Sequence, residues 1–121
     1  MASIETKDID HPDESRTPEK TTVGVVHLGD ATVGRFTFEP GWRWSECIKP
    51  VVGTDSCKAR HVGAGVSGQL HVVHDDGTEI DIVSGDAYVL EPGHEAWVVG
   101  DEPFVGYEFE SRTANTYATS R

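Results

Sequence analysis

The sequence predicts an all-β domain whose short antiparallel strands close into a barrel or a sandwich of two facing sheets. Three observations predict it. Short runs rich in β-branched and aromatic residues recur at regular spacing. Gly, Asp and Pro punctuate the runs at positions where tight turns need them. No run of ten or more residues carries helical periodicity. A chain of 121 residues fits one such domain, with core enough to fold without disulfides.

The elements follow in chain order. Residues 1–20 are polar, carry Pro12 and Pro18 and lack apolar periodicity. They read as a mobile arm or an extended edge segment, with His11 solvated. From Thr21 the β-rich runs begin: TTVGVVHL, ATVGRFTF, SCKARHVGAGV, GQLHVVH, TEIDIV, DAYVLE, HEAWVV and PFVGYEF. Turns fall at Gly29-Asp30, at the EPG of 39–41, the DDG of 75–77, the SGD of 84–86, the EPG of 91–93 and the GDEP of 100–103. The DDG between two alternating runs is a hairpin signal. The domain is expected over 21–112 and a C-terminal tail over 113–121, with the segment after Phe109, ESRTANTYATSR, forming one helical turn or an edge.

Charge excludes some partners. Twenty-one acidic residues against 10 basic give a formal net charge of -11. That field repels nucleic acid and anionic membrane surfaces, which call for basic patches. No apolar run approaches the roughly 20 residues of a membrane span. The first 20 residues lack a basic start followed by an apolar stretch, so no secretory signal is read and a cytoplasmic location is expected.

Two segments carry a resemblance. GDAYVLEPGHEAW at 85–97 resembles the second of the two sequence motifs of cupins: Gly-Asp, a short spacer, then Pro-Gly-His. GQLHVVHDDGTEIDI at 68–82 resembles the hairpin between the motifs, and Gly68 resembles the Gly that ends the first one. WSECIKP at 44–50, GTDSCKARH at 53–61 and AWVVGDEP at 96–103 resemble segments of a subgroup of small cupins without a settled activity. The resemblance spans Phe38 to Phe109. It implies a cupin-type (jelly-roll) antiparallel β-barrel and a homodimer, with the segment before Thr21 crossing to the partner. It also implies a site of three His and one Glu, whose positions fall here on Asp55, Cys57, His61 and Ala96.

The residues themselves suggest a different ligand set. Residues two apart on a strand share a face, so a strand through 55–63 would put Asp55, Cys57, Ala59, His61 and Gly63 together and Lys58 and Arg60 in water. A thiolate and an imidazole four apart form a plausible transition-metal half-site. His94, after the Pro92-Gly93 turn, replaces the missing ligand at Ala96 if it points inward. Cys47, where the resemblance places a His in close relatives, would complete a Cys2His2 set suited to Zn²⁺. Fe or Mn is the alternative, with Asp55, His61 and His94 imitating a two-His, one-carboxylate site. Against both stands the simpler reading that two Cys in a reducing compartment are core residues. His27 reads as half-buried, His71 as outward and His74 as a rim residue.

Trp42, Trp44 and Trp97 line a ligand pocket at the barrel mouth, with Arg43 pairing an anionic ligand, or else they fill the core or cover an interface. Two function classes remain. One is a metal-centred cupin, enzyme or binder of a small molecule, with Glu46 or Glu95 as general base if water is activated. The other is a non-catalytic small-molecule-binding or dimerising domain whose Cys and His are structural. No G-x-S-x-G nucleophile motif is present.

Overall fold

A computed structural model describes residues 3–109. The residues expected as the end of the domain, 110–112, and as the tail, 113–121, lie outside the described residues. Nine strands are described: β1 (Glu14–Arg16), β2 (Thr21–Leu28), β3 (Ala31–Phe38), β4 (His61–Ser67), β5 (Gln69–His74), β6 (Glu79–Val83), β7 (Ala87–Leu90), β8 (His94–Val98) and β9 (Phe104–Glu108). Two single-turn helices, α1 (Trp44–Cys47) and α2 (Lys49–Val52), lie between β3 and β4. One sheet has the order β1-β2-β3-β9-β4-β7 and the other β6-β5-β8, with every pair antiparallel. No described helix is long and apolar enough to cross a membrane.

Alternation builds the interior. Phe36 and Phe38 of β3, Leu70 and Val72 of β5, Ala96 and Val98 of β8, and Phe104 of β9 are buried between the sheets. Trp42 stacks on Phe38 at 3.9 Å between ring centroids, and its indole N–H donates to the Thr21 hydroxyl at 3.0 Å. Burying each of the Val, Leu and Phe side chains among them contributes about 1.5–3 kcal/mol. The DDG segment joins β5 to β6 as a hairpin, with the His74 N–H donating to the Thr78 carbonyl at 2.8 Å.

Two segments differ from the alternation pattern. The run from Ser56 is not one strand: regular pairing starts only at His61. The Thr54 hydroxyl donates to the Ser56 carbonyl at 2.8 Å, closing a local turn that breaks the alternation. The helical turns at 44–52 are too short to show a period, and Pro50 sits in the first turn of α2, where its missing N–H costs nothing. Nearer the N-terminus, residues 14–16 form an edge strand on β2, tied by His27, whose ring meets the Glu14 carboxylate and whose backbone N–H donates to Asp13 at 2.8 Å.

Candidate metal centre

Cys57 is placed by its backbone. It forms an isolated antiparallel bridge with His94: its N–H donates to the His94 carbonyl at 2.8 Å, and the Gly93 N–H donates back to the Cys57 carbonyl at 2.7 Å. Gly93 adopts a φ of 101°, which a side chain disfavours, and a Cβ there would stand 3.0 Å from a carboxylate oxygen of Asp75. So the Pro92-Gly93 turn aims His94 inward and clamps Cys57 beside it. His61 opens β4 on the inward face, and Cys57, His61 and His94 are 3%, 4% and 3% exposed.

The three side chains converge. One donor atom from each lies within 4.8 Å of the others. Cys57 Sγ is 3.4 Å from His61 Nε2, and the two imidazole rings are 5.0 Å apart. Each histidine is anchored through its other nitrogen. His94 Nδ1 donates to the Glu91 carbonyl at 2.7 Å, and His61 Nδ1 meets a Glu108 carboxylate oxygen at 2.8 Å. The second Glu108 oxygen accepts from the Tyr88 hydroxyl at 2.8 Å. Anchoring Nδ1 frees Nε2 as a lone-pair donor, the arrangement that orients metal-binding histidines.

The electrostatics follow from this chain of contacts. Burial pushes the Cys57 thiol up, but hydrogen bonds and positive charge from His61 and His94 outweigh it and bring the thiol down to about 6. Burial pushes His61 down, but the Glu108 carboxylate and the Cys57 contact raise it to about 10. Without a metal the pair is therefore a thiolate beside an imidazolium. Burial and the neighbouring Glu108 charge hold the Tyr88 phenol well above its usual range, so it acts as a neutral donor.

Glu108 and Tyr88 adjoin the cluster, and the sequence patterns do not single them out. Gly63 makes room for both: a Cβ at this position would stand 2.2 Å from the Tyr107 carbonyl oxygen, 2.9 Å from the Tyr88 hydroxyl and 3.0 Å from Glu108 Cγ. Gly63→Ala is expected to destabilise by about 1–3 kcal/mol, because backbone and carboxylate must both move. Urea denaturation measures this, and an unchanged midpoint would mean that β4 and β9 can separate without cost.

Other predicted residues lie elsewhere. Cys47 is buried in α1 and is not among the converging donors, because the helical turn packs it in the apolar core. Asp55 is exposed, since 53–60 is irregular and carries no strand face. Trp97 faces away from the interior: His94, Ala96 and Val98 point inward, so the intervening residues point out. There Trp97 packs against His71 and lies under Arg43, whose guanidinium carbon is 4.2 Å from the ring centroid. Arg43 lies 3.8 Å from Glu95, so it does not line the interior. Glu46 is exposed and Glu95 accepts from the Ser45 N–H at 3.2 Å, which leaves neither beside the cluster. Trp42 and Trp44 do reach the interior. They line an internal cavity of ≈ 20 Å³ together with His61, His94, Tyr88 and Glu108. A second cavity, of ≈ 270 Å³, is walled by Val72, Ile80, Val89 and Leu90, with His74 and Glu91 among its polar residues, and it also reaches His94.

This architecture is shared with solved structures. A protein of unknown function from Rhizobium leguminosarum superposes with a TM-score of 0.60 at 18% identity, covering 89% of this chain and 97% of that one. An uncharacterised protein with a double-stranded β-helix domain from Klebsiella pneumoniae gives 0.58 at 18% identity, over 88% and 84%. A cupin domain from Bordetella pertussis gives 0.50 at 18% identity, over 78% and 96%. No protein-family model matches the chain, and no curated protein matches it. The likeness is one of fold: the protein is a small single-barrel protein of the cupin, or double-stranded β-helix, fold.

Proposed function

We propose that this protein binds one transition-metal ion, with Zn²⁺ favoured, through Cys57 Sγ and the Nε2 atoms of His61 and His94, and a small molecule in the cavity of ≈ 270 Å³ that reaches His94. The observation that carries the reading is the convergence of three buried donors, both imidazoles anchored at Nδ1. One sulfur and two nitrogens suit zinc, and ligand atoms around such an ion stand roughly 3–4 Å apart. Three protein ligands leave a fourth position open, as in sites where zinc polarises a bound water or carbonyl. Bound there, the metal would supply Lewis acidity. The chain would supply a dry site, a carboxylate at Glu108 that holds His61 by its Nδ1, and a neutral hydroxyl at Tyr88. The apolar walls of the larger cavity fit a small molecule with an apolar body.

Metal content of the purified protein, and of metal-free protein reloaded with Zn²⁺ by equilibrium dialysis, tests this. Wild type is expected to hold one equivalent. Cys57→Ala and His61→Ala are each expected to lose it. Saturating Zn²⁺ at about 100 times Kd should stabilise wild type by about 2.7 kcal/mol and leave both variants unchanged. Wild type without bound metal after dialysis would leave the same three residues as a structural cluster, and the non-catalytic small-molecule reading would replace this one.

A further inference from the structure

We infer that the indole N–H of Trp44 holds the non-protein ligand of this metal: a single water, hydroxide or small anion seated in the cavity of ≈ 20 Å³. The inference rests on the proposed metal reading and goes beyond it by assigning what occupies the fourth position and which residue selects it. Trp44 is 2% exposed, and its Nε1 has no hydrogen-bond partner among the described residues. A buried N–H without an acceptor costs about 1–3 kcal/mol, so such a group calls for a bound partner. Trp42, the neighbouring tryptophan on the same cavity, has its N–H satisfied by Thr21.

The cavity settles the size of that partner. Its volume suits one water-sized group, since a water needs about 10–15 Å³ of such space. Its other walls, among them Phe38, Leu70, Ala96 and Phe104, are apolar and offer the ligand no polar contact. The chemistry of the wall settles the polarity. The Tyr88 hydroxyl is committed to Glu108, both Glu108 oxygens are engaged, and each histidine's Nδ1 is anchored. What Trp44 lacks is an acceptor, and an oxygen or anion bound to the metal provides one. A hydrogen bond to such a charged ligand is stronger than one between neutral groups.

The test follows the indole N–H signals of full-length, metal-free protein by nitrogen–proton correlation spectroscopy during Zn²⁺ titration. Trp44 is assigned by the loss of its signal in Trp44→Phe, or by backbone connectivity if that variant is unstable. The Trp44 signal is expected to move downfield and to gain exchange protection at one equivalent, while that of Trp42 stays in place. In Co²⁺-loaded Trp44→Phe, metal stoichiometry is expected to be retained and fluoride, an anion the size of hydroxide, to bind about tenfold more weakly than in Co²⁺-loaded wild type. Equilibrium dialysis is read first. If no metal binds, the proposed function fails and this inference falls with it. If metal binds but the Trp44 signal does not move, or fluoride affinity is unchanged in the variant, the assignment to Trp44 alone is overturned.

Discussion

Glu108→Ala is expected to destabilise the metal-free protein by about 3–5 kcal/mol, the cost of breaking a buried charged pair by removing one partner. Glu108 is 5% exposed and serves two donors at once, His61 Nδ1 and the Tyr88 hydroxyl, each at 2.8 Å. Alanine removes the carboxylate that both donors meet and takes away the charge that pairs the imidazolium. Glu108→Gln keeps the shape and one acceptor oxygen but turns the other oxygen into an NH2 donor, which the Tyr88 hydroxyl can accept after rotating, so a smaller cost of about 1–3 kcal/mol is expected. The two variants should also separate in metal affinity. A carboxylate hydrogen-bonded to a ligating histidine orients the ring and raises its basicity, and its loss typically weakens metal binding by about 10–100-fold. Glu14→Gln, at a half-exposed ion pair with His27, is the control and should change stability by less than about 1 kcal/mol. Urea denaturation at pH 7 decides the matter, and a Glu108→Ala midpoint near that of the control would show that His61 does not depend on this carboxylate.

Much of the fold was legible because strand alternation and turn chemistry are local. The eight β-rich runs correspond to β2 through β9, and the DDG hairpin joins β5 and β6 as its composition implies. The site was legible only where local rules reached it. His94 follows a Pro-Gly turn whose geometry fixes its direction. Trp97, three residues on, cannot share that strand face, and the same parity rule that turns His94 inward turns Trp97 out. Asp55 lies outside the cluster for the opposite reason: alternation does not hold across 53–60, where the backbone is not a strand. Cys57 reaches His61 through its bridge to His94, a long-range backbone contact that no local pattern encodes. Glu108 shares an inward face with Phe104 and Gly106 in β9. That parity was a usable signal, but a Glu near a strand end in a chain with 21 acidic residues reads as solvated.

Metal-free Cys57→Ala is expected to lose stability relative to wild type progressively as pH rises from about 6 to 9. The folded-state thiol near 6 lies below its ordinary 9.0, so the unfolded chain binds more protons between those values. The thiolate's contribution is therefore present above 9, declines as pH falls, and is gone below about 6. His61 runs the other way. Its folded value near 10 lies above the ordinary 6.5, so its contribution is full below 6.5 and is lost as pH rises through 10. Between 6.5 and 9 the two slopes oppose each other, and in wild type this pair leaves stability nearly flat. Cys57→Ala removes the rising limb and keeps the falling one, which Glu108 still supports. The gap between wild type and variant should widen by up to about 1.4 kcal/mol per pH unit, one proton's worth. Other titrating groups contribute equally to both proteins, so the difference isolates the pair. Urea denaturation of chelator-treated protein at pH 6.5, 7.5 and 8.5 measures it. A difference that stays constant across the three values would mean that Cys57 is an ordinary buried thiol, protonated at neutral pH, and that the thiolate–imidazolium pair does not form without metal.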